Sequence, residues 1–127
     1  MSVDVQGQIN YWIKGADDNL ETAPILIRHD KFLEALFFLH LATEKALKAH
    51  VVKVTGNVPP RTHNLLRLAE LANVSPDEAT IEFLGRLMIY QLEGRYPSEK
   101  PLQPSKKFTR QMLEKSREVN LWLKNQL

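Results

Sequence analysis

The chain has 127 residues, 43% of them hydrophobic and 25% charged, with a net charge of +2. That is the size and composition of one globular domain, and far from the basic balance of a protein that wraps nucleic acid. With no cysteine, disulfides and thiolate metal sites are excluded. The opening Met1-Ser-Val-Asp-Val-Gln-Gly-Gln8 has no basic region followed by an apolar core, so no signal peptide is read and a cytoplasmic protein is expected.

From Gln8 to about Ile27, the residues Ile9, Trp12, Ile13, Ala16 and Leu20 recur at helical spacing, with Lys14, Asp17, Asp18 and Glu21 on the other side. Pro24 is expected to kink this helix or to make its last turn irregular. Asp30 is the expected N-cap of the next helix, which runs to Val54 with no glycine or proline inside it. Between Ala35 and Ala42 every residue but His40 is apolar, so this helix has to be wrapped on most sides. It is too interrupted to span a membrane, which takes about 20 apolar residues. Gly56 supplies the left-handed residue that closes it.

Pro59-Pro60 forbids helix in the following linker, and Thr62 is the expected cap of a short third helix carrying Leu65, Leu66, Leu68, Ala69 and Ala72. Ser75-Pro-Asp-Glu78 reads as a capping box that opens a fourth helix to about Leu92. Its stripes are Ile81, Leu84 and Met88, and beside them Phe83, Leu87 and Tyr90. Gly94 and Pro97 end it, and an irregular loop leads to a last helix from about Ser105 to Leu127, with Phe108, Met112, Val119 and Leu123 inward. Lys106 and Lys107 sit in its first turn, against the helix dipole, either as solvated lysines or as a hold for an anion. No strand pattern or internal repeat appears. The expected fold is an all-α, up-and-down antiparallel bundle of four long helices and one short one, in a single domain over residues 1–127.

Three groups of residues stand out. His40, Glu44 and Lys48 fall four apart on one face of the second helix, with Lys45 beside them. They are either a solvated stripe with one Glu–Lys pair or a polar seam toward a ligand or partner. Arg61, Thr62 and His63 open the third helix, where backbone donors attract anions. Tyr90 and the run Gly94-Arg95-Tyr96-Pro97 combine an arginine with two tyrosines, a set that pairs with phosphate and stacks a base. There is no Gly-rich phosphate loop, no His-Glu-x-x-His and no serine elbow. His40 and His50 lie ten apart on different helical faces, so no metal or other cofactor is expected.

Taken together, Trp12, Ala16-Asp17 and Leu20, then Thr43-Glu44-Lys45-Ala46-Leu47-Lys48-Ala49, Pro59-Pro60-Arg61-Thr62-His63-Asn64-Leu65, and Arg95-Tyr96-Pro97 resemble the HEPN domain. The resemblance is to the prokaryotic subgroup found beside minimal nucleotidyltransferases, and it covers nearly the whole chain. It implies a helical homodimer with a role in nucleotide or RNA chemistry in a two-component, toxin–antitoxin-like cassette, partnered by a nucleotidyltransferase encoded nearby. Ribonuclease members carry an arginine and, about four to six residues on, a histidine. Here His63 follows Arg61 too closely, and no histidine follows Arg86 or Arg95. The leading expectation is therefore a binding module for nucleotide or RNA phosphate, using Arg61, His63, Arg95, Tyr96, Tyr90, Lys45 and Lys48. The alternative is a metal-independent ribonuclease with His63 and Arg95 as catalytic candidates. A third reading is a structural partner docking through Phe83, Leu87, Leu121 and Trp122.

Overall fold

The structure is a computed structural model that describes residues 3–127. Met1 and Ser2, which begin the stretch read for a signal peptide, lie outside the described residues. Five α-helices form, α1 Val5–Arg28, α2 Phe32–Thr55, α3 Leu65–Leu71, α4 Glu78–Leu87 and α5 Lys106–Lys124. Short 3-10 turns occupy Met88–Tyr90 and Pro97–Glu99, and no strand forms among the described residues. No helix is long and apolar enough to cross a membrane.

The second helix is the hub. It packs against each of α1, α3, α4 and α5 and buries Ala35, Leu36, Leu39, Ala42, Ala46, Leu47, Ala49, Val51 and Val52. This is the wrapping that its nearly all-round apolarity requires. Ala16, Ala23 and Ile27 come in from α1, and Met112, Leu113, Val119 and Leu123 from α5. α1 runs through Pro24 without a break, because burial of Ala23 and Ile27 on either side outweighs one missing backbone hydrogen bond.

Local punctuation differs from expectation in instructive ways. Asp30 is not the N-cap of α2. It takes φ 56° in the turn after α1, where its amide donates to the Ile27 carbonyl and the Lys31 amide to that of Leu26. The pattern is a Schellman closure, and aspartate is one of the few non-glycine residues that tolerate its left-handed position. Gly56 closes α2 at φ 69°, as its place in the sequence demands. Two caps fall two residues later than expected. Asn64, not Thr62, accepts the Arg67 amide, and Asp77, not Ser75, accepts that of Thr80. Ser105 caps α5 through the Phe108 amide.

α4 is ten residues long and gives way to the 3-10 turn, short of Leu92. Its inward side is Thr80, Phe83, Leu84 and Leu87, while Ile81 is exposed. Phe83 and Leu87 are therefore core residues, which removes them from any docking surface. Leu121 and Trp122 do face solvent.

Candidate functional site

One turn apart along α2, His40, Glu44 and Lys48 share a face. That face is not solvated. The three residues are 0%, 4% and 6% exposed, because the linker and α3 fold back across it on one side and α1 covers the other. The solvated-stripe alternative is thereby corrected. The seam lies inside the bundle.

Glu44 organises it. Its Oε2 accepts from Lys48 Nζ at 2.9 Å, and its Oε1 accepts from His63 Nδ1 at 2.8 Å. The Lys48 ammonium also lies 5.3 Å from the ring centroid of Trp12, whose indole N–H donates to Gln8 Oε1 at 3.2 Å. A buried carboxylate, a buried ammonium and an aromatic face thus satisfy one another at close range. His40 Nδ1 is 3.7 Å from Glu44 Oε1. Burial pushes the His40 pKa from 6.5 down to about 4; Glu44 and a hydrogen-bonding contact with the His63 backbone oppose this, and the charges of His63 and Lys48 add to it. The ring is neutral at neutral pH.

His63 links this interior to solvent. Its side chain is nearly half exposed, and its outward Nε2 lies 3.6 Å from Glu93, too far for a hydrogen bond. Because Glu44 takes the Nδ1–H, the neutral ring presents a lone pair at Nε2, and the protonated ring presents a donor there. Arg61, two residues earlier, is exposed and makes no ion pair among the described residues.

The other expected site residues are placed apart from this centre. Lys48 is buried and committed to Glu44. Lys45 is half-buried and borders a groove of about 320 Å³ with Tyr11, Lys14, Gly15 and Asp18. Tyr90 packs against Phe108, ring centroids 6.2 Å apart, so its ring belongs partly to the core. Tyr96 is exposed at the start of the second 3-10 turn, and Arg95 Nη1 reaches the Glu99 carbonyl at 3.5 Å. No hydrogen bond or ion pair joins Arg95 to His63.

Two members of the cluster are not legible as such in the sequence. Trp12 reads as one more apolar position, and its place over Lys48 is a tertiary fact. Glu93 sits between two flagged residues, but only distance connects it to His63. A second polar contact crosses from α2 to α5. Thr43 Oγ1 accepts from Asn120 Nδ2 at 3.3 Å and donates to the Leu39 carbonyl. His50 Nε2 donates to the Leu123 carbonyl at 2.6 Å. Among the described residues no group of three or more metal-ligating side chains converges.

The fold and this interior cluster define an all-helical domain built on one buried helix, with a single imidazole carrying the cluster to the surface. The sequence model of the HEPN domain matches residues 9–126, and the chain belongs to the HEPN-domain family. Its fold is similar to that of TT1696 from Thermus thermophilus, with a TM-score of 0.79 over 94% of this chain and 98% of that one. At 22% identity the likeness is one of fold. None of the curated proteins matches the sequence significantly.

Proposed function

We propose that this HEPN domain binds nucleotide or RNA phosphate. In this reading it is the homodimeric, cytoplasmic accessory partner of a minimal nucleotidyltransferase in a two-component, toxin–antitoxin-like system. The observation that carries the binding reading is His63, anchored at Nδ1 by a buried carboxylate and open to solvent at Nε2. Arg61, in the same segment, makes no ion pair among the described residues, and Arg95 and Tyr96 stand two and three residues beyond Glu93. Glu93 is itself exposed and loosely placed, so a phosphate can displace it from Nε2.

The same geometry favours a second reading, a metal-independent ribonuclease. A carboxylate that fixes the tautomer of a histidine prepares it for general acid or base work. His63 would move the proton and Arg95 would stabilise the negative charge on the phosphorane oxygens, the two meeting through the loop or across a dimer.

End-labelled single-stranded RNA, incubated without added metal with the wild type, Arg61→Ala, His63→Ala and Arg95→Ala, separates the two. Retention of RNA without cleavage, weakened in the variants, is the expected result. Cleavage abolished by His63→Ala and Arg95→Ala would replace it with the enzyme reading. RNA and nucleotides held no better than non-specifically at physiological salt would end the binding reading.

A further inference from the structure

Glu44 Oε1 faces two imidazoles. It accepts from His63 Nδ1 at 2.8 Å and lies 3.7 Å from His40 Nδ1, while Oε2 is occupied by Lys48. His40 is wholly buried, and neither of its ring nitrogens makes a well-formed hydrogen bond, although the His63 backbone lies close enough to favour the protonated ring. An unpartnered buried polar group is costly and uncommon in a native protein. Moving the carboxylate oxygen by somewhat under about 1 Å would bring it within hydrogen-bond distance of His40 Nδ1. The ring is neutral, held so by burial, and has one N–H to give.

The two imidazoles differ in freedom. His40 is enclosed within a packed helix. His63 belongs to the irregular segment ahead of α3, and solvent reaches almost half of its side chain. On its outer side the exposed Glu93 stands 3.6 Å from Nε2. Of the two side chains, that of His63 is the more exposed and the less enclosed.

We infer that His40 is a positioning residue for the phosphate site: when His63 turns outward to an anion, Glu44 Oε1 closes on His40 Nδ1. The inference rests on the reading of His63 as an anion ligand. The buried carboxylate then exchanges one donor for another instead of being left with an unmatched oxygen in the interior. While His63 holds Glu44, His40 is the donor in reserve. Without it, release of His63 would strand Glu44 Oε1, and His63 would be held inward. Arg61 lies in the same segment as His63 and moves with it.

The test has two arms, both on the full chain. In the first, ring-nitrogen NMR on histidine-labelled wild type, His63→Ala and His63→Gln needs no ligand. His40 should not titrate between about pH 5 and 8 in the wild type. In both variants its Nδ1 proton should move downfield and exchange more slowly with water. A His40 ring unchanged in both variants, or protonated at Nε2 throughout, overturns the inference. In the second arm, inorganic phosphate is titrated while the His63 ring is followed in the wild type, His40→Leu and His40→Asn. Asparagine places an amide N–H where the histidine has Nδ1. The leucine variant should bind about tenfold more weakly, as expected for losing one buried hydrogen bond to a charged group, and the asparagine variant should recover most of that. Equal affinity in the wild type and the leucine variant overturns the positioning role. A wild type with no phosphate response would remove the anion reading of His63 itself, while the first arm decides whether the carboxylate exchange occurs.

Discussion

The Lys48 ammonium and the Glu44 carboxylate meet at 2.9 Å inside the bundle, one turn apart on the same helix, with their side chains 8% and 5% exposed. Neither could be left there alone. Replacing Glu44 with leucine strands a buried ammonium and should cost on the order of 3–5 kcal/mol of stability. Replacing Lys48 with methionine leaves the carboxylate only its hydrogen bond from His63 and should destabilise as well, by less. The double variant should lose clearly less than the sum, with a coupling of at least about 1 kcal/mol in urea unfolding. Additive losses would show that the two charges are compensated by other groups.

His40 gives the fold a pH dependence of definite sign. An unfolded histidine takes up a proton near pH 6.5, whereas burial holds His40 neutral in the folded chain down to about 4. Between those values the unfolded state binds the extra proton, so stability falls as the pH drops through that window and is unaffected above it. The full penalty, reached below about pH 4, is about 3 kcal/mol. Burial also lowers the His50 pKa, and the effect has the same sign. Urea midpoints measured at several pH values should decline toward acid, and His40→Asn should flatten much of the decline. An unchanged slope in that variant would place the acid sensitivity elsewhere.

The order of helices can be read from the sequence because each is bounded by chemistry local to it. The run around His40 can only be a wrapped helix, and Gly56 and Ser105 sit where a closing glycine and a capping serine belong. The caps at Asn64 and Asp77 escape sequence reading because Thr62 and Ser75, two residues earlier, are plausible caps by the same local rule. Asp30 misleads because a cap and a left-handed turn favour the same residue, and only the turn's length decides. The site divides in the same way. The register of His40, Glu44 and Lys48 follows from spacing alone. That His63 caps Glu44 and that Trp12 covers Lys48 depends on how a proline-rich linker and α1 lie across that face, which no spacing encodes.

Two glycines make opposite predictions. Gly85 lies in the middle of α4, and a methyl group there would meet nothing within 4 Å. Gly85→Ala should stabilise the chain by up to about 1 kcal/mol, by removing backbone freedom from the unfolded state. Gly56 has equal space but sits at φ 69°. Gly56→Ala should destabilise by about 1 kcal/mol, since an alanine in the left-handed region is strained. Thermal unfolding of both variants checks the pair. Matching shifts of the same sign would mean that the α2 terminus relaxes out of its left-handed closure.

Arg61 and Lys48 are both cations in segments that mark the family resemblance, yet they should fail in different ways. Arg61 is exposed and unpaired among the described residues, so Arg61→Ala should change stability by no more than about 0.5 kcal/mol. If its guanidinium meets phosphate, the variant should bind RNA more weakly, and the slope of log affinity against log salt should become shallower by about 1. Lys48→Met should do the reverse, lowering stability and leaving the salt slope as it was, because its charge is spent on Glu44. Fluorescence anisotropy with a short single-stranded RNA over a salt series reads both. A salt slope unmoved by Arg61→Ala would take the α2–α3 linker off the phosphate path, leaving Arg95 and the first turn of α5 as the cations that could meet the anion.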